Sequence, residues 1–370
     1  MAARETPPFR ADHVGSLLRP DALHEARAAF AADEIDPAEL MAAEDQAITD
    51  AVRLQEDAGL KSATDGEFRR EQWHSDFLYA VPGIEKGALG APLPVYRKDG
   101  QLTWTPNVTA ITGKVRLGDE PIFGDHFHFL AQTVTTAMPK ITVPSPSMAH
   151  FRADLSGSPY QDYEEFRADV AAAYAAEVAG LYRLGCRYLQ FDDTIFAFLN
   201  DPAWRENARA TGLDPDHQHE INVAVINDAL KDKPADMAVT VHMCRGNYRS
   251  AWFSSGGYDF VAEEVFGRLK VDGLFLEYDD ERSGTFEPLR YVPGDQIVVL
   301  GLVTTKTPEL EPKDTLKRRI EDAAKYVDID RLCLSGQCGF ASTVEGNALT
   351  IDEERAKLEL IVEVADEVWG

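Results

Sequence analysis

Residues 238–244 read AVTVHMC, a β-branched run that closes on His242 and Cys244. In an extended strand, residues i and i+2 face the same side. This imidazole and this thiol therefore point at one place. Both are ligands for a borderline-soft divalent ion, zinc above all. The pair alone is not specific, because buried cysteines commonly serve as small apolar side chains. Two further residues make it a set. Glu277 ends the apolar run DGLFLEY (272–278), and Cys338 ends RLCLSGQC (331–338). If these runs are strands whose ends share one rim, His242, Cys244, Glu277 and Cys338 form a four-ligand group suited to Zn2+. Two thiolates argue against magnesium or iron-oxygenase chemistry. The carboxylate and the wide spacing argue against a closed structural site, which gathers local Cys and His. Cys186 and Cys333 lie beside or inside apolar runs and read as packing residues.

A scaffold must bring these ends together. Eight apolar runs recur along the chain, at 9–17, 62–68, 140–146, 187–193, 238–244, 272–278, 296–303 and 331–338, most of them followed by a helical segment. The first long helix starts where Asp36 can cap it and Pro37 suits the first turn, and Gly59 ends it. The alternation predicts an α/β fold, a (β/α)8 TIM barrel forming one catalytic domain over 1–370. An open doubly wound sheet is disfavoured, since no G-x-G-x-x-G or phosphate loop follows any run. Residues 75–138 break the alternation. Residues 80–100 are rich in Gly and Pro and read as loop; 101–117 alternate and read as a hairpin. This is the expected β-hairpin/loop excursion between strands two and three. In such a barrel, chemistry sits at the C-terminal strand ends. Those ends hold Ser16, Glu67, Asp192, the four metal candidates, Arg245 and Lys306.

The 370 residues include 37 Lys and Arg against 63 Asp and Glu, a net charge of -26. Such a surface repels nucleic acid and anionic membrane, so neither is an expected partner. No apolar run approaches the roughly 18 residues of a membrane span, and the opening residues lack the apolar core of a secretory signal. Four scattered Cys make no disulfide scaffold. The expected compartment is the cytoplasm.

The segments VHMCRGN, LFLEYDDERSG and LSGQCGF, with HVGS near the start, DGE after the second run and QFDD in the fourth, resemble the cobalamin-independent methionine synthase family. The likeness runs from about residue 10 to residue 365, in the right order, and is to the single-barrel, catalytic C-terminal-domain type. It implies a zinc-dependent S-methyltransferase that activates homocysteine as a thiolate and methylates it to methionine. It also implies His242, Cys244, Glu277 and Cys338 as zinc ligands. Ser16 matches the loop that holds the amino-acid carboxylate. Glu67 and Asp192 match the carboxylates that take the ammonium group. The expected methyl donor is methyltetrahydrofolate, or else a methylated corrinoid protein or a small methylated sulfur compound. Lys306, in TTKTPE, stands where the family has a His linked to proton transfer. It and Asp192 are the catalytic candidates. A second barrel, which helps build the folate site in the long enzymes, has no room here.

Two other readings use the same ligands. An epoxyalkane:coenzyme M transferase would hold a sulfonate, with Arg69, Arg70, Arg245 and Arg249 as its anchors; Arg245 is also a candidate for the family-type substrate. A zinc-stabilised scaffold would show no response of the metal to thiols. Trp73, His74, Phe77, Phe151, Trp252 and Phe253 are candidates to stack on a pterin or cap the site. SSGGY (254–258) reads as a turn, and Arg282 as a surface residue held by neighbouring acids.

Overall fold

The computed structural model describes residues 4–90, 92–97, 100–151, 153–210 and 214–370. Its main sheet holds six parallel strands in the order Leu332–Gly336, Ile297–Val303, Gly273–Glu277, Ala238–Met243, Tyr188–Asp193 and Ile141–Pro144. Nearly all of their residues are buried on both faces, which is why they read as continuous apolar runs rather than alternating ones. The wall closes through shorter contacts. Asp12 N donates to Leu334 O (3.0 Å) and Leu334 N to Arg10 O (2.8 Å), tying the first run to the last strand. Leu17 N donates to Gly66 O (3.1 Å), and Ser62–Ala63 pairs in parallel with Met138–Pro139. The fold is a (β/α)8 TIM barrel.

The first two runs are less strand-like than expected. Over 9–17 the ladder shrinks to a bridge at Ala11, and 62–68 keeps two strand residues. Buried polar side chains occupy the backbone there instead. Thr64 Oγ1 donates to Gly15 O (2.6 Å), Lys140 Nζ to His13 O (2.5 Å), and Gln55 Oε1 accepts from Thr64 N (2.8 Å). Lys140 divides the third strand and ion-pairs with Asp12 (3.1 Å) inside the barrel.

Outer helices follow the expected starts. Pro37–Asp57 opens on a capping box in which Asp36 accepts from Ala38 N and Glu39 N, and Glu39 returns to Asp36 N. Tyr163–Arg183 buries Phe166, Val170, Tyr174, Val178 and Leu181 against the sheet.

The excursion is larger than one hairpin. Ile84–Leu89 pairs antiparallel with Asn107–Ile111, and between them Leu93–Arg97 pairs with Gly100–Trp104. Residues 80–100, expected as loop, thus contribute two strands; their Gly and Pro conceal the alternation. The inner hairpin folds back over the barrel mouth. There Tyr96 N donates to Trp252 O (2.7 Å) and Trp252 N to Tyr96 O (2.8 Å). Among the described residues, no helix is long and apolar enough to cross a membrane.

Candidate active site

Adjacent strands in register place His242 beside Phe275 and beside Asp192. Glu277 ends the next strand, and Cys338 follows the last one. One ligand atom from each of His242, Cys244, Glu277 and Cys338 lies within 4.8 Å of all the others, and all four residues are buried. Zinc with nitrogen, oxygen and sulfur at roughly 2.0–2.3 Å needs ligand separations of about 3.3–3.8 Å. The Cys244 and Cys338 sulfurs are 3.3 Å apart. Small side-chain movements therefore suffice to enclose an ion. Other atoms of the group also fit one. Among the described residues, no hydrogen bond of ordinary geometry reaches either ring nitrogen of His242 or Glu277 Oε2, although all are buried; Cys338 is the close neighbour of the ring. Buried polar atoms are rarely left so without cause. Glu277 Oε1 is held by Arg245 N at 2.8 Å, which orients the carboxylate. This is a possible metal-binding group.

The charges around it are coupled. The Cys244 thiol donates to Cys338, and with His242 and Lys306 nearby this holds Cys338 well below the usual thiol range, against the opposing effect of burial. Burial lowers His242, but Cys338, Asp192 and Glu277 outweigh it and raise the ring. Glu277 is raised by burial, with Lys306 and Arg282 pulling the other way.

His242, Cys244 and Cys338 open onto a cleft. Ser16, Glu67 and Asp192 line the same cleft. Glu67 sits at φ +62, a strained conformation for a side-chain-bearing residue, just after Gly66 at φ +65. Asp65 Oδ1 accepts from Glu67 N (2.9 Å) and so fastens the turn. Thr142 Oγ1 donates to Glu67 Oε1 (2.7 Å), and Arg70 lies 3.5 Å from it. Glu67 Oε2 has no partner among the described residues. Asp192 Oδ1 accepts from Gln190 Nε2 (2.7 Å). Burial pushes the Asp192 carboxyl up to about 7, with His242 lowering it and Glu67 raising it further. Ser16 is pinned by the Cys338 loop, since Phe340 N donates to Ser16 O (2.9 Å). A Cβ on Gly339 would lie 1.9 Å from Ser16 Oγ, so a larger residue there would have to turn the Ser16 hydroxyl aside.

Other candidates are placed differently. The Arg245 guanidinium is fully buried and turned from the cleft: it bonds to Gly256 O, approaches Ser283 O (3.5 Å) and stacks on Tyr258 (4.5 Å). It braces the loop while its backbone serves Glu277. Lys306 is not among the cleft-lining residues; its Nζ lies 3.5 Å from Asp279 Oδ2, behind Glu277. Arg282 is held by neighbouring acids as expected, paired with Asp279 and Asp280 at 3.0 Å, but it is half-buried and lies 3.9 Å from Glu277. Arg69 is engaged by Glu44 and Asp45, and Arg249 is exposed. Cys186 and Cys333 are packed in the interior, where burial pushes each thiol up to about 12.

Trp73, His74 and Phe253 line the cleft, whereas Phe77 packs in the core against Phe123 and Tyr174, and Trp252 stacks on Arg282. The side chain of Phe151 lies outside the described residues. Trp104, Phe198, Asn247 and Tyr248 also line the cleft and were not singled out from the sequence. For Trp104 the signal was the alternation of QLTWTP at the tip of the excursion.

Residues 153–367, more than half of the chain, match the family model described as "Cobalamin-independent synthase, Catalytic domain". The chain belongs to the cobalamin-independent methionine synthase family. Members of this methyltransferase family resemble it over almost its whole length. The uncharacterised protein YxjH of Bacillus subtilis is 46% identical over 367 residues, 98% of this chain and 95% of its own. A crystal structure described as a putative vitamin-B12-independent methionine synthase from Listeria monocytogenes superposes with a TM-score of 0.79. It is 39% identical, covering 99% of this chain and 100% of that one. A B12-independent methionine synthase from Shewanella, solved in complex with selenomethionine, shares the fold at a TM-score of 0.71. Its identity is 19%, with 97% of each chain covered.

Proposed function

We propose that this family member methylates the sulfur of homocysteine to give methionine, with Zn2+ held by His242, Cys244, Glu277 and Cys338. The observation that carries the reading is the convergence of those four ligand atoms beside a cleft whose other charged groups are Glu67 and Asp192. Zinc in such a group supplies the Lewis acidity that keeps a substrate thiol ionised near neutral pH, where a free thiol with a pKa of about 8.5 is mostly protonated.

The chain's own residues do the rest. Glu67 Oε2, buried without a partner, accepts from the ammonium group of the amino acid, and Asp192 completes that subsite. Burial raises both carboxyls, Glu67 against the pull of Arg70, so a bound ammonium restores a favourable charge balance. The Ser16 loop borders the amino-acid carboxylate. Glu277, the hardest of the four donors, would be the one to give up its place to a substrate sulfur. Lys306 acts from behind: its charge favours the ionised forms of Glu277 and Cys338. The Shewanella relative's complex with selenomethionine, the selenium counterpart of the product, agrees with this reading.

A coenzyme M type of acceptor is disfavoured, because Arg69, Arg70 and Arg245 are committed to internal partners and no Lys or Arg lines the described cleft. The test is competition between acceptors: homocysteine should be methylated and should bind at least tenfold tighter than coenzyme M. The reverse order would reject the reading.

A further inference from the structure

Glu67 and Asp192 are held from the barrel interior by one layer of side chains. Thr142 and Gln190 are register partners on adjacent parallel strands, and both are buried. Thr142 Oγ1 donates to Glu67 Oε1 (2.7 Å), and Gln190 Nε2 donates to Asp192 Oδ1 (2.7 Å). Each carboxylate thus receives one donor from beneath. Thr142, Gln190 and Arg70 are not among the residues that line the cleft.

The direction of these bonds follows from what lies behind them. A guanidinium can only donate. Arg70, fully buried, donates Nη1 to Thr142 Oγ1 (3.2 Å) and Nη2 to Thr142 O (2.7 Å), and it lies 4.2 Å over the Phe123 ring. With that donor on its oxygen, the Thr142 hydroxyl keeps its single proton for Glu67. The rotamer is constrained as well. A Cβ on Gly15 would lie 2.6 Å from Thr142 Cγ2, so the methyl group fills the space beside Gly15 while the hydroxyl faces Glu67. Gln190 is oriented in the same manner: its Nε2 also donates to Val14 O (2.6 Å), and a carbonyl can only accept. Glu67 Oε1 is therefore occupied, whereas Oε2 is buried with no hydrogen bond among the described residues. That oxygen remains as an acceptor for a cation that carries N–H groups.

We propose that Thr142 and Gln190 are positioning residues for the ammonium group of the thiol acceptor, with Arg70 ordering the Thr142 hydroxyl. The proposal rests on the reading of Glu67 and Asp192 as that group's partners. Thr142 acts through Glu67. Its proton holds Oε1 in place, which keeps the carboxylate from turning fully onto Arg70, 3.5 Å away. A closed Glu67–Arg70 pair would neutralise the charge that the ammonium group needs.

Calorimetric titration of the full-length, zinc-loaded protein tests this, with homocysteine and with 4-mercaptobutanoate, the same thiol acid without the ammonium group. Thr142→Val, nearly identical in shape, should weaken homocysteine binding about tenfold and leave 4-mercaptobutanoate within about twofold. Thr142→Ser keeps the hydroxyl and should bind homocysteine within about threefold of the parent. Gln190→Met should reproduce the effect of Thr142→Val, and it carries the test if Thr142→Val does not fold. Zinc content should be unchanged in each variant. Equal losses for both thiols, no loss for either thiol, or a serine variant as weak as the valine one overturns the proposal. Glu67→Gln is the separate arm. If it abolishes the preference for homocysteine while Thr142→Val and Gln190→Met retain it, only the positioning roles fall. If Glu67→Gln itself retains that preference, the assignment of the ammonium group to Glu67 falls.

Discussion

The sulfurs of Cys244 and Cys338 lie 3.3 Å apart although one follows the fifth barrel strand and the other the eighth. Strand order around the barrel makes this approach possible, and the buried His242 ring beside Cys338 completes the reason to expect an ion between them. Cys244→Ser and Cys338→Ser should therefore each lower zinc affinity by well over roughly tenfold, with far-ultraviolet circular dichroism unchanged. Cys186→Ser should keep full zinc, since that thiol is packed elsewhere. Metal analysis after dialysis against a weak chelator checks this; full zinc in both ligand variants contradicts it.

Glu67→Gln and Asp192→Asn remove the partners assigned to the acceptor's ammonium. Loss of a buried charge-assisted bond costs about 1.5–3 kcal/mol. The homocysteine KM should rise by roughly ten- to a hundredfold, with zinc content constant. Steady-state kinetics on metal-loaded variants decides the point, and an unchanged KM would place the amino-acid end elsewhere.

Gly246→Ala should be costly out of proportion to one methyl group. The residue is at φ +87, and its Cβ would strike Phe253 at 2.2 Å, beside the Cys244 ligand. Strain of roughly 1–3 kcal/mol is expected from the backbone alone, with weaker zinc binding as well. Phe253→Ala in the same chain should recover part of the zinc affinity, because it removes the clash and leaves only the backbone term. Measured zinc affinities for the single and double variants test this.

A pH effect should come from outside the site. Glu354 is buried and accepts from Leu18 N (2.8 Å); burial pushes its carboxyl up to about 8 from an ordinary 4.5. A folded-state value above the unfolded one means the stabilising contribution is full below about pH 4.5 and is lost as pH rises through about 8. Glu354→Gln resembles the protonated form. It should match the parent near pH 4 and exceed it near pH 8, at about 1.4 kcal/mol per pH unit within that window. Thermal denaturation of both proteins across this range checks the sign, and a parent that gains on the variant toward pH 8 refutes it.

Much of this was legible in the chain. Apolar runs buried on both faces are readable as parallel strands, and the i, i+2 spacing of His242 and Cys244 translates directly into a shared direction. Three features were not. The first two barrel segments lose their ladders to side chains such as Thr64 and Lys140, whose partners are far apart in sequence. The Arg245 side chain was readable as a charge near the site but not as a brace stacked on Tyr258. Trp104 reaches the cleft only because Tyr96 pairs with Trp252, a contact between an excursion and a loop that no local pattern announces.

A substrate thiol should join the group formed by His242, Cys244, Glu277 and Cys338. Zinc K-edge X-ray absorption of the loaded protein, with and without homocysteine, tests it most directly. A shell of one nitrogen, one oxygen and two sulfurs should become one nitrogen and three sulfurs at about 2.3 Å, as the Glu277 oxygen gives way. A shell that keeps two sulfurs at saturating homocysteine would contradict it.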